Sequence, residues 1–147
     1  MCPENLKSLL SAAEVESLVR KFWELFAEKK TELWQRHYAE IATVFGTNSK
    51  RPEPARLVVL RRQREYLSSA ARMRINVGKV DVEILGQDCA VATYILQLHA
   101  EQIAKLSASG HREHEEHLEN ARVTHVLQRG TDGALRIVHE HISAPTT

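Results

Sequence analysis

The sequence predicts an α+β fold in which helices come first and a curved antiparallel sheet follows. Apolar residues recur at three- and four-residue steps between Val15 and Phe26, as on one face of a helix. From Met73 onward apolar and polar residues alternate, which is typical of strands. Because the helical patterns precede the strand patterns instead of alternating with them, the two kinds of element should be segregated.

The first helix is predicted to begin at Ser11, because Ser11 and Glu14 have the spacing of a capping box. Its buried stripe is expected to consist of Val15, Leu18, Val19, Phe22 and Phe26, with Trp23 beside it. A second, short helix is predicted from Thr31 to about Tyr38. The pattern therefore places two helices in the first quarter of the chain.

A short apolar run, Ile41–Phe45, is predicted to be a strand that ends at Gly46. A third helix is predicted to begin at Pro54, since proline suits the first turn of a helix, and to end near Ser69. Its arginines are expected on the solvent side.

The remaining strands are separated by turn residues. The predicted turns lie at Gly86–Asp88, Ser107–Gly110 and Gly130–Gly133. The strand Cys89–Leu98 is mostly apolar on both faces, whereas an antiparallel sheet usually exposes one face to water. We therefore expect a second copy of the chain to cover the outer face, which predicts a homodimer.

Length and composition limit the other possibilities. A chain of 147 residues with net charge +1 is expected to form one domain, residues 1–147. The two cysteines are interpreted as free thiols of a reducing compartment. No export signal and no apolar run of about 20 residues is visible, so we expect a cytoplasmic protein without a membrane segment. Few aromatic residues accompany the arginines, so nucleic-acid binding is not expected.

Four segments carry a family resemblance: Ala42–Thr47, Cys89–Tyr94, Arg122–His125 and Leu135–Ser143. With them the chain resembles the nuclear-transport-factor-2-like superfamily, and in it the SnoaL-like domains and the association domain of calcium/calmodulin-dependent protein kinase II. The resemblance implies a cone, in which a bent sheet wraps around a helix and a pocket lies at the open end. Members include isomerases, cyclases, dehydratases and non-enzymatic assembly domains, so fold alone does not decide function.

The association domains line their pocket with arginines from three strands. The matching positions here are Leu96, Arg122 and Ile142, so one arginine of the three remains. The resemblance implies that the strand faces of these three residues look into the pocket.

Glu140 is the candidate catalytic residue. It alternates with the apolar Val138 and Ile142, so burial is expected to raise its pKa and to suit it to acid–base chemistry. The alternative is that Glu140 pairs with Arg122 or faces water. Arg122 and Tyr94 are the candidate hydrogen-bonding groups for a substrate, with Tyr38, Leu96 and Ile142 as further substrate-binding positions. His125 is interpreted as a proton shuttle or, alternatively, as a core or interface histidine.

The histidine- and glutamate-rich run 111–117 lacks a recognisable metal-ligand spacing and is interpreted as a polar edge, with metal binding as the alternative. No metal site is assigned and no cofactor is expected. The sequence thus predicts a small-molecule-binding homodimer, with cofactor-independent isomerase, cyclase or dehydratase chemistry as the catalytic option. The alternative is a non-catalytic association or ligand-binding module.

Overall fold

The computed structural model describes residues 9–47, 49–67, 72–102 and 114–145, and the side chains of all of these except 101, 102 and 114–118. The helices are α1 (Ala12–Ala27), α2 (Thr31–Gln35) and α3 (Ala55–Arg62), the last continuing as a π-helical turn over Gln63–Leu67. The strands are β1 (Tyr38–Phe45), β2 (Glu53–Pro54), β3 (Arg72–Val77), β4 (Asp81–Ile84), β5 (Cys89–Gln102), β6 (His114–Arg129) and β7 (Leu135–Ser143). The predicted turn at Ser107–Gly110 lies outside the described residues.

The seven strands of the described residues form one open, curved sheet in the order β2–β1–β7–β6–β5–β3, with β4 also paired to β5. This confirms the predicted α+β class. One pair differs from the prediction, because β1 runs parallel to β7 while the other pairs are antiparallel. These two strands are far apart in the chain, so no hairpin constrains them to run in opposite directions.

Helix α1 packs against the inner face of the sheet, as predicted. The Ser11 side chain accepts a hydrogen bond from the Glu14 amide at 3.2 Å and so caps the helix. The buried residues of α1 are Val15, Val19, Phe22, Trp23, Leu25 and Phe26. The predicted stripe is therefore correct except at Leu18, which is only half-buried. Burying each such side chain contributes about 1.5–3 kcal/mol, so this stripe anchors the core.

Two bulges decide which residues of β6 and β7 face inward. In β7, His139 pairs with Val126 while Ile137 pairs with Leu127, so Val138 is an extra residue without a partner on β6. In β6, Asn120 adopts a positive φ of 54° and bonds to Gln97 where the register with β5 shifts. Such bulges bend a strand and change the face on which later side chains lie.

The other helices are shorter than the sequence predicted. Helix α2 ends at Gln35, and the chain enters β1 at Tyr38. Helix α3 ends at Arg62 and gives way to the π-helical turn, which ends at Leu67. Among the described residues, no helix is long and apolar enough to cross a membrane.

Candidate functional site

A buried carboxylate, Glu140, lies at the centre of a hydrogen-bonded network on the inner face of the sheet. Glu140 and His125 are both fully buried. Glu140 Oε1 accepts from the Tyr38 hydroxyl at 3.0 Å and lies 2.9 Å from His125 Nε2. Glu140 Oε2 accepts from Arg62 Nη2 at 2.7 Å. Both carboxylate oxygens therefore have partners, as a buried charge requires.

The network continues from His125 to helix α1. Trp23 Nε1 donates to the Tyr94 hydroxyl at 2.7 Å, and that hydroxyl lies 3.4 Å from His125 Nδ1. An indole N–H only donates, so the Tyr94 oxygen is the acceptor. The same oxygen lies 3.5 Å from His125 Nε2, so it faces the ring between the two nitrogens.

Arg62 reverses the expected titration of Glu140. Burial alone would raise the pKa of Glu140, but the charge of Arg62 and the hydrogen bond from His125 outweigh it and lower the pKa to about 2. Desolvation works against the charge of Arg62 too, yet the Glu140 carboxylate holds the pKa of Arg62 above its ordinary value. The predicted rise in the pKa of Glu140 is therefore wrong. Near neutral pH Glu140 is a fixed negative charge and a weak proton acceptor.

The two tyrosines of the network are hydrogen-bond donors. Burial raises the pKa of both Tyr38 and Tyr94 well above the ordinary value for a phenol. For Tyr38 the Arg62 charge opposes this rise but does not cancel it. Both hydroxyls therefore stay protonated near neutral pH.

A cavity of about 310 Å³ lies between α1, α3 and the sheet. Its apolar wall consists of Trp23, Phe26, Val44, Val58, Leu98 and Ile142. Its polar lining consists of Thr47, Ser49, Glu53, Arg61, Arg62, Glu65 and Tyr66. Arg62, with 13% of its side chain exposed, belongs to both the lining and the network. The buried network therefore meets the cavity at this guanidinium.

A larger groove of about 830 Å³ lies between β1 and α3. Its lining includes Ile41, which is 80% exposed, and the exposed Leu57 and Leu60. It touches the network only through Tyr38. We therefore place the candidate site in the smaller cavity, where apolar walls and charged groups converge.

Besides Glu140, the four predicted substrate-binding residues other than Arg122 lie on the inner side of the sheet. Ile142 lines the cavity, and Tyr38 and Tyr94 belong to the network behind it. Leu96 is fully buried in the core and is not among the cavity-lining residues. Their roles in binding a substrate stay predictions.

Arg122 lies elsewhere, which corrects the predicted site. It is exposed, and it pairs with Ile95 of β5 and Ser143 of β7. Directly paired residues of neighbouring strands point to the same face, and here that is the outer face. The inner residues of β6 are Ala121, Val123, His125 and Leu127. The alternation along β6 was predicted correctly, but the choice of the inward face was wrong.

Arg62 supplies the positive charge that had been assigned to Arg122, and the prediction that the arginines of the third helix face solvent is wrong for it. A signal was present in the sequence. Ala55, Val58 and Val59 are the buried residues of α3, and Arg62 continues their spacing of three and four residues. An arginine at the end of an apolar stripe indicates a buried partner of opposite charge.

The histidine-rich run 111–117 lies outside the side chains that the structure describes. Among the described residues, no three histidine, cysteine, aspartate or glutamate side chains converge as a metal site would require.

Comparison with known families identifies one match. A family model for a SnoaL-like domain matches residues 15–147, which confirms the resemblance predicted from the sequence. No curated protein matches the sequence.

Solved structures share the fold at low sequence identity. ActVI-ORFA from Streptomyces coelicolor aligns with a TM-score of 0.69 and 14% identity, covering 90% of this chain and 95% of that one. An NTF2-like protein of unknown function from Pseudomonas putida KT2440 aligns with a TM-score of 0.68 and 16% identity, covering 92% and 87%. The CaMKII association domain of C. elegans aligns with a TM-score of 0.60 and 18% identity, covering 90% and 94%. At these identities the likeness shows the fold alone.

Proposed function

The chain belongs to the family of SnoaL-like domains, and we propose that it binds a small organic molecule in the cavity between α1, α3 and the sheet. The observation that carries this proposal is that the cavity, which has one apolar wall, meets a buried charge network at Arg62. Small-molecule sites typically combine apolar walls with a few fixed polar groups, in volumes of roughly 300–1,000 Å³.

The network holds Arg62 in place before any ligand arrives. Its Nη2 donates to Glu140 at 2.7 Å and its Nη1 donates to Tyr38 at 2.9 Å. A group fixed in this way loses little conformational entropy when a ligand binds, which favours affinity. Arg62 is therefore the group that we expect to orient the ligand.

Isomerase, cyclase or dehydratase chemistry without a cofactor is the catalytic form of this proposal. Glu140 is poorly suited to be its base, because its lowered pKa of about 2 makes it a weak proton acceptor. It also has no place in the cavity lining and acts there through Arg62. If the protein is an enzyme, we expect Glu140 to position Arg62 and His125. Binding is thus better supported than proton transfer.

The test begins with mass spectrometry of small molecules that co-purify with the native protein, followed by a thermal-shift panel of ketones, lactones and small acids.

Two neighbouring valines provide matched variants. Val58 lines the cavity, whereas Val59 is equally buried but lines the groove on the other side of α3. Val58→Phe should fill the cavity and abolish binding, and Val59→Phe should retain it. Equal binding by both variants would contradict the proposed site.

Self-association through the outer face of the sheet is a second proposed function. Ile95 is 43% exposed on that face, and Val91 and Val126 on the same face are half-buried. A second copy covering them would form the predicted homodimer, whose obligate interface typically buries more than about 2,000 Å². Sedimentation at micromolar concentration tests this, and a monomer would contradict it.

That residues 1–147 form one domain, and that the protein is cytoplasmic, stay predictions.

A further inference from the structure

We infer that the cavity selects uncharged molecules carrying a hydrogen-bond acceptor over carboxylates of the same shape. This inference rests on the proposed binding function and adds the chemical class of the ligand. It depends on the charges around the cavity, because each arginine that lines the cavity is already paired with a carboxylate.

Each cation in the cavity lining already has a carboxylate partner. Arg61 Nη2 lies 2.7 Å from Glu53 Oε2. Arg62 Nη2 lies 2.7 Å from Glu140 Oε2. An incoming carboxylate therefore meets no cation whose charge is unbalanced.

The charges of these two pairs point the same way. Glu53 balances Arg61, and Glu140, directly behind Arg62, balances Arg62, so neither pair carries a net positive charge. A carboxylate that enters loses hydration and gains no net attraction in return.

An uncharged acceptor faces no such loss. A guanidinium carries five N–H donors, and Arg62 uses two of them for Tyr38 and Glu140. A carbonyl oxygen can accept from another N–H of this group. The rest of such a molecule would then pack on the apolar wall formed by residues such as Val58 and Leu98. Ketones, esters and lactones meet this description.

The chain offers a direct probe of occupancy. It contains two tryptophans, of which Trp23 lines the cavity, while Trp34 is fully buried outside its lining. Protein labelled with 5-fluorotryptophan should therefore give two ¹⁹F resonances, one that reports ligands and one that serves as an internal control. The probes are 2-tetralone and tetralin-2-carboxylate, which share one bicyclic frame and differ in charge. Both are titrated near pH 7.5.

We expect 2-tetralone to shift the Trp23 resonance and to bind at least about tenfold more tightly than the carboxylate, since the anion must be desolvated without a free cation. Glu53→Gln should narrow this preference by roughly two- to fivefold, because it removes the carboxylate that binds Arg61 at the cavity. Asp132→Asn is the matched control, because it removes the carboxylate partner of Arg136, and neither residue lines this cavity.

The outcomes separate the two proposals. If the carboxylate binds as tightly as the ketone or more tightly, the inference is wrong while the binding function stands. The same holds if Glu53→Gln and Asp132→Asn change the preference equally. If neither probe moves the Trp23 resonance at millimolar concentration, the cavity does not accept molecules of this size, and the binding function fails together with the inference.

Discussion

Replacing Glu140 by glutamine tests the buried ion pair directly. The substitution keeps the volume of the side chain and removes its charge, so Arg62 loses its partner. The pKa of Glu140 is lowered from 4.5 to about 2, which corresponds to about 3 kcal/mol of stabilisation of the charged form. Removing one partner of a buried pair typically costs about 3–5 kcal/mol. We therefore expect Glu140→Gln to lower the free energy of unfolding by about 3 kcal/mol near pH 7.

The sign of the pH dependence follows from the same shift. Because the pKa of Glu140 is lower in the folded state, its contribution is fully present above the unfolded pKa of 4.5. It is lost as the pH falls from there towards the folded pKa of about 2. The wild-type protein should lose this stability across that window, whereas Glu140→Gln should lose much less. Other carboxylates contribute equally to both proteins, so the difference between their curves isolates Glu140.

Urea denaturation at several pH values between 7 and 3 measures both effects. Asp132→Asn is the control, because the pKa of Asp132 is also lowered to about 2, by Arg136, but at an exposed position. Solvent screens the charges of such a pair, so Asp132→Asn should lower the free energy of unfolding much less than Glu140→Gln does. Equal losses for Asp132→Asn and Glu140→Gln, or parallel pH curves for Glu140→Gln and wild type, would refute the buried-pair reasoning.

Other substitutions test the rest of the structure. Tyr94→Phe should cost about 1–3 kcal/mol in urea denaturation, because Trp23 Nε1 loses its acceptor; an unchanged indole ¹⁵N–¹H shift would contradict this. Arg122→Ala should change the free energy of unfolding by less than about 0.5 kcal/mol and leave ligand affinity unchanged, as its exposure implies; a larger loss would put Arg122 back in the site. Ile95→Lys should shift sedimentation from dimer to monomer without unfolding the chain, and a persistent dimer would exclude the outer face as the interface. Ser11→Ala should lower the thermal midpoint through loss of the helix cap, worth about 1 kcal/mol, and Ser11→Asn should restore it.

The elements that the sequence predicted well are those with one dominant periodicity. Val15, Val19, Phe22 and Phe26 repeat at helical steps, and all four are buried as expected. Alternation along β6 correctly separated His125 from Arg122. In both elements the same hydrophobic periodicity extends over several residues, so each position supports the same assignment of the element and of its two faces.

The candidate site could be predicted only in part, because its geometry depends on contacts between distant segments. Glu140 and Arg62 are 78 residues apart, and only the packing of α3 on the sheet joins them. The pKa of Glu140 was expected to rise because burial is readable from the alternation, whereas the identity of a distant partner is not. Arg122 was placed inward by the resemblance to the association domains, because alternation defines two faces of a strand without saying which one the helix covers.

The extra residue at Val138 has a consequence for comparing this chain with its relatives. Before it, Ile137 faces inward; after it, Glu140 and Ile142 do. A relative that lacks this one residue would present the same side chains to the cavity, because Ile137, His139, Glu140 and Ile142 would then follow one regular alternation. An alignment that runs through β7 without a gap would nevertheless be displaced by one residue on one side of Val138, and there it would match cavity residues of one protein with surface residues of another. The bulge therefore lets a SnoaL-like domain gain or lose a single codon at this point while its inward-facing groups are kept.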